Sequence, residues 1–190
     1  MNLLKKVSVF FILTSLLGGC SLNYGSQQNS ENTVPEFSFT DANFDRYSKN
    51  KVTMTLKAEK LEQYKNGGGA YAANAEFKTF DEQGTLKTEG KCQLLAADTK
   101  NKKYTLFDNV SINIPEQETQ LTANSLHFDA NNEQLTGGIT DTVSILRNGT
   151  EVKGQGFSAS GVSRKYTFLR PVTGSVTDSD DQNMAEGDEQ

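Results

Sequence analysis

From Phe37 onward the chain alternates apolar and polar residues with a period of two. Val52-Thr-Met54-Thr-Leu56-Lys-Ala58 does so without a break, as do Val110-Ser-Ile112-Asn-Ile114, Leu121-Thr-Ala123, Val143-Ser-Ile145 and Tyr166-Thr-Phe168. Successive side chains of a strand point to opposite faces, so this pattern sets one face against an apolar interior and the other in water. Turn-forming clusters separate the runs: Asn66-Gly-Gly-Gly69, Asp81-Glu-Gln-Gly84, Lys100-Asn-Lys102, Ala130-Asn-Asn132, Gly137-Gly138 and Asn148-Gly149. The last is the strongest hairpin signal, because both residues tolerate the positive φ of a two-residue turn. Leu56 to Tyr64 and Ala70 to Phe80 contain good helix formers. The alternation runs into the first, and no strong N-cap precedes the second, so both are read as strands. Short strands with turns between them predict an all-β chain, whether sandwich, jelly roll or barrel.

An internal echo supports repeated strand units. Ala97, Tyr104-Thr-Leu106 and Val110 recur at identical spacing as Ala159, Tyr166-Thr-Phe168 and Val172, with Lys103 and Lys165 before the tyrosines. Leu121-Thr-Ala123-Asn-Ser-Leu126-His-Phe128 resembles the Ala-led half of the same unit. Units of this kind bury their apolar side by stacking on neighbours.

The first 19 residues break the pattern. Lys5 and Lys6 precede the apolar run Val7 to Leu17, and Gly18-Gly19 precede Cys20. This is the layout of a secretory signal peptide, and its apolar run is short of the ~20 residues that span a bilayer. Leu17-Gly18-Gly19-Cys20 resembles the bacterial lipobox, which implies cleavage before Cys20 and acylation of that residue. Residues 20–35 are polar and read as a flexible tether from a lipid anchor on Cys20 to a domain over residues 36–177.

Composition narrows the chemistry. The net charge of −5 combines the two signal lysines, a body with 17 basic and 17 acidic residues, Glu31, and six acids in the tail at residues 178–190. A neutral body and an acidic tail argue against nucleic-acid binding, which needs a basic face. Two distant Cys and one His cannot build a closed zinc site or a disulfide framework. Cys92 lies in a strand pattern and reads as a half-buried structural thiol. His127 alternates with Leu126 and Phe128, so it faces the polar side and does not read as a catalytic base. Gly154-Gln-Gly156 lacks the helix signal of a phosphate loop and reads as a strand kink. Asp178-Ser-Asp180-Asp181 lacks the glycine turn and terminal Glu of a calcium loop. No catalytic constellation emerges, so the chain reads as a non-enzyme with no cofactor.

Four stretches resemble the LptC family, the periplasmic component of the lipopolysaccharide-export ABC transporter. They are Val34-Pro-Glu-Phe37, Thr55-Leu-Lys-Ala-Glu59, Leu121-Thr-Ala-Asn-Ser-Leu-His-Phe-Asp129, and Thr140-Asp-Thr-Val-Ser-Ile145 followed by Gly154-Gln-Gly-Phe157. The resemblance implies an open, twisted antiparallel β-jelly roll. It implies a membrane-anchored protein of the bacterial envelope that faces the periplasm, at the inner rather than the outer membrane. Such a protein takes lipopolysaccharide or a related glycolipid from an inner-membrane ABC transporter complex. It hands the lipid to an LptA-like bridge protein joined by edge-strand pairing. Family members carry an N-terminal transmembrane helix where this chain has a lipobox. Alternation then nominates the groove residues: Met54, Leu56, Leu94, Val110, Ile112, Leu126, Phe128, Val143, Ile145, Phe157 and Phe168. The competing expectation is a surface or structural lipoprotein, an adhesin or interaction module, whose β core is simply filled.

Overall fold

A computed structural model describes residues 34–65, 69–161 and 165–177. The lipobox, residues 20–33 of the tether, most of the Asn66 turn and the acidic tail lie outside the described residues. Among the described residues twelve strands form one continuous antiparallel sheet. They are β1 (Phe37–Ser48), β2 (Lys51–Gln63), β3 (Ala70–Phe80), β4 (Leu86–Asp98), β5 (Lys103–Ile114) and β6 (Thr119–Asp129), then β7 (Gln134–Gly137), β8 (Thr142–Arg147), β9 (Thr150–Gln155), β10 (Ser158–Ser160), β11 (Lys165–Thr167) and β12 (Thr173–Val176). Among the described residues the sole helical element is a single 3-10 turn, Pro115–Gln117. Leu56 to Gln63 and Ala70 to Phe80 are strands, so the alternation outweighs helix propensity.

The first six strands pair in chain order as long meandering hairpins. Lys49 and Asn50, with φ of 49° and 63°, turn β1 into β2, and Asn148 and Gly149, with φ of 49° and 74°, turn β8 into β9. Two successive positive φ values match the twist of the flanking strands, which is why Asn and Gly sit there. Asp81 closes the β3–β4 turn, its Oδ1 accepting from the backbone N–H of Gln83 at 2.9 Å and of Thr85 at 2.8 Å.

A crease runs across the sheet. In β2 the inward series passes from Leu56 and Ala58 to Leu61, in β3 from Ala72 to Ala75, in β4 from Cys92 to Leu95, and in β6 from Leu121 and Ala123 to Leu126. Each step changes the parity of the alternation. In β5 the step from Leu106 to Val110 contains an extra residue relative to both neighbours, and the register of β4–β5 and β5–β6 shifts there. Asp41, Asn74, Asp108 and Asn109 take positive φ along this line. Bulges of this kind bend a strand and re-aim its side chains. The polar residues at the crease (Asp41, Glu59, Asn74, Gln93, Asp108, Asn109 and Asn124) are exposed, and Asn74 donates to the Glu59 carboxylate at 2.6 Å.

At β6 the crease becomes a fork. Thr119 to Thr122 pair with β8, while Leu126 to Asp129 pair with β7. One branch continues β7–β10–β11, the other β8–β9–β12. Ser125 sits at the fork and donates its hydroxyl to Asp141 from the β7–β8 connection, so this buried polar side chain is partnered. The result is an open, bent, antiparallel β-jelly roll whose apolar interior lies between two leaves of one sheet.

Candidate functional site: an apolar trough

The interior is organised as rungs that cross the strands. On one leaf Phe44, Leu56, Phe77, Gly90, Ile112, Leu121, Ile145 and Val152 are successive pairing partners from β1 to β9. On the other leaf Phe39, Leu61, Ala72, Leu95, Leu106 and Leu126 do the same from β1 to β6. Residues in register across an antiparallel sheet point to the same side, so each rung is a continuous apolar line perpendicular to the strands. A rung has one gap, at Gly90. The Phe77 ring leans into it, so closely that a Cβ on Gly90 would come within 2.5 Å of the ring.

The trough is unequal along its length. At the β1 end Phe37, Phe39 and Phe44 are 54%, 53% and 45% exposed. In the middle and far strands Val110, Ile112, Leu121, Leu126, Val143, Ile145 and Phe157 are buried. The far end is stopped by aromatic rings. Phe157 lies 5.6 Å from Phe168, and Phe168 lies 6.1 Å from Tyr166, ring centre to ring centre. The Phe168 ring rests on Gly154, where a Cβ would meet it at 2.7 Å, and Leu169 rests on Gly156. The Gly154-Gln-Gly156 kink thus has a packing cause: these glycines admit the segment that closes the trough.

Ten of the eleven nominated groove residues lie where alternation put them. Leu56, Val110, Ile112, Leu126, Val143, Ile145 and Phe157 are in the buried core, and Met54 and Phe168 pack against it. Phe128 is half-buried and stacks on Tyr104 at 6.3 Å. Leu94 is a correction. It is 37% exposed and points outward, because the β4 crease falls between Cys92 and Leu95 and moves the inward series one residue on. Alternation also missed Phe77, Leu61, Leu106 and the β1 aromatics. For the last of these, the Phe37-x-Phe39 spacing was the available signal.

Cys92 is buried and unpaired. Burial pushes its thiol up to about 11, partly opposed by the backbone hydrogen bond from Phe107. A thiol held neutral is a poor nucleophile. In a Cys20→Ser background, Ellman's reagent at neutral pH is expected to leave the native protein unmodified and to react fully once guanidinium unfolds it. Reaction of the native protein would show that the β4 crease opens. His127 is exposed, as its alternation required, and its Nδ1 lies 3.1 Å from the Thr105 hydroxyl. Among the described residues no group of three His, Cys, Asp or Glu is placed to hold a metal ion.

These features define a class: a bent antiparallel jelly roll with an apolar trough between its leaves, open at one end. Residues 7–177 match the model of the family described as lipopolysaccharide-assembly, LptC-related. The chain belongs to this family, which places it in lipopolysaccharide assembly in the bacterial envelope. It is 21% identical over 162 residues to an uncharacterised protein of Treponema pallidum (strain Nichols), covering 85% of this chain and 81% of that one. A structural match covers 78% of this chain and 99% of LptH, the LptA-homologous periplasmic component of the lipopolysaccharide transport device of Pseudomonas aeruginosa, at 7% identity and a TM-score of 0.31.

Proposed function

We propose that this protein is a lipid-anchored, non-enzymatic carrier for lipopolysaccharide or a related glycolipid. It receives the lipid from an inner-membrane ABC transporter complex and passes it to an LptA-like bridge protein. Cys20 holds it to the membrane, and the folded body faces the periplasm. The observation that carries this reading is the apolar rung from Phe44 to Val152, accessible at its β1 end. Such a line suits a chain of methylenes, each worth roughly 0.8 kcal/mol on leaving water. An edge of the sheet suits pairing with a strand of a neighbouring jelly roll, since edge strands recruit extended partners through their unpaired backbone groups.

A second reading has its own observation. Leu126 and Val143 are 0% exposed and Ile145 is 2% exposed, so half of the trough is filled by its own side chains. A structural lipoprotein with a closed core would look the same there. Photocrosslinking in cells separates the two. With a photoreactive residue at Met54 or Phe128, glycolipid adducts are expected, with fewer at the deeper Ile112 and none at outward Ser111 or Lys57. Absence of adducts at all inward positions would leave the filled-core reading standing.

A further inference from the structure

We propose that β12 is a removable cover on the edge of β9, displaced when an edge strand of a neighbouring jelly roll pairs with β9 in its place. This rests on the bridging role above and specifies the edge and the device. β9 is anchored: it pairs with β8 along its whole length, its Gly154 is buried, and its Val152 ends the long apolar rung. β12 is different. It pairs with β9 over four residues, from Thr173↔Lys153 to Val176↔Thr150, and all four of those residues are exposed. Backbone hydrogen bonds hold it, with no buried side chain to fix it. Among the described residues the last half-buried anchor is Phe168, and Leu169, Val172 and Val176 beyond it are 78%, 48% and 69% exposed. Segments with few buried apolar contacts open at low free energy.

The rung gives the reason for exchange. Opposite Val152 the covering strand presents Gly174, so the apolar line from Ile112 through Leu121 and Ile145 stops at β12. A strand with an apolar side chain opposite Val152 would continue that line into the next sheet. Uncovered, β9 offers a row of unpaired N–H and C=O groups that an antiparallel strand satisfies. The sequence after β12 carries six acids and no base, which favours solvation of a released strand over its collapse onto apolar surface.

A reversible staple tests this. The Thr177 N–H donates to the Gly149 carbonyl at 3.0 Å, so the adjacent Thr150 and Val176 form a non-hydrogen-bonded pair. Such pairs have Cα atoms about 4.5 Å apart, within the roughly 4.4–6.8 Å reach of a disulfide. The full chain with Thr150→Cys and Val176→Cys is immobilised, and the purified LptA-like jelly-roll protein of the same organism is the probe. Oxidation is expected to weaken binding at least about tenfold and reduction to restore it. Hydrogen exchange at the Ser175 and Thr177 amides is expected to be much faster than at the amides β8 donates to β9. Equal binding in both redox states, or β12 amides as protected as those of β8, overturns the cover and leaves the bridging role intact. Failure of the reduced and unmodified chains alike to bind the probe overturns the bridging role and the cover with it.

Discussion

Leu126→Ala is expected to destabilise the folded body by about 2–5 kcal/mol, a large part of the roughly 5–15 kcal/mol typical of a whole domain. Leu126 is 0% exposed and sits at the fork of β6, paired with Leu106 on one side and with Gly137 on the other. Gly137 in turn lies against Val143 and Phe157, where an added Cβ would come within 2.8 and 3.4 Å. Side chains from both branches therefore meet around one leucine. A cavity there collapses poorly, because moving either branch inward breaks strand pairing made elsewhere. Urea unfolding followed by far-ultraviolet dichroism should show a lower midpoint with an unchanged slope. Leu94→Ala is the control. It removes an outward side chain and should change stability by no more than about 0.5 kcal/mol. A loss at Leu94 comparable to that at Leu126 would mean that the crease in β4 is misplaced.

The contrast between these two leucines shows what was legible in the residues. Alternation is a local signal, and it located strands wherever one face meets water. A parity change is legible only when both residues at the step are polar. Asn124-Ser125 in β6 is such a case, and the spacing Ala123, Leu126, Phe128 carried the inward series across it correctly. In β4 the step is Gln93-Leu94, followed by Leu95, so two adjacent leucines compete for one inward place. Pairing decides between them: Leu95 lies opposite Leu106 and faces in, whereas Leu94 lies opposite Phe107 and faces out. That choice belongs to β5, which carries the extra residue at Asp108-Asn109, and strand β4 read alone has no access to it.

The internal echo was legible for a reason now visible. Ala97 pairs with Tyr104, and Ala159 pairs with Tyr166. Both pairs lie on a single rung that runs from Ala97 through Tyr104, Phe128, Leu135 and Ala159 to Tyr166. The repeated spacing is a repeated hairpin, and it records where the same rung is crossed twice. The ends of the trough were less legible. Exposure of Phe37, Phe39 and Phe44 follows from β1 having no neighbour beyond it among the described residues, a fact of topology. The cover strand Thr173-Gly-Ser-Val176 has weak strand propensity and no alternation of note, so backbone pairing alone identifies it.

The lipobox carries the last large effect. If Cys20 is acylated as its sequence context implies, Cys20→Ser should shift the protein almost completely from the membrane to the soluble envelope fraction. The magnitude follows from the chains removed. One acyl chain gives marginal, reversible binding, with a partition constant on the order of 10⁴ M⁻¹, whereas two or more hold a protein stably. The body is formally neutral, with 17 basic and 17 acidic residues, and among the described residues no helix is long and apolar enough to cross a membrane. Fractionation and metabolic labelling with a palmitate analogue measure the two halves of the prediction. Retention of the Cys20→Ser protein in the membrane fraction would mean that something other than the acylated cysteine holds it there. The variant also separates anchor from trough. Cys20 is separated from the first described strand by 16 residues of sequence, so the soluble variant is expected to keep its unfolding midpoint. Given purified lipopolysaccharide, it should still form adducts at Met54 and Phe128. Loss of those adducts in a folded, released protein would mean that the lipid is taken up from the membrane surface and not from solution, which makes the anchor part of the loading step.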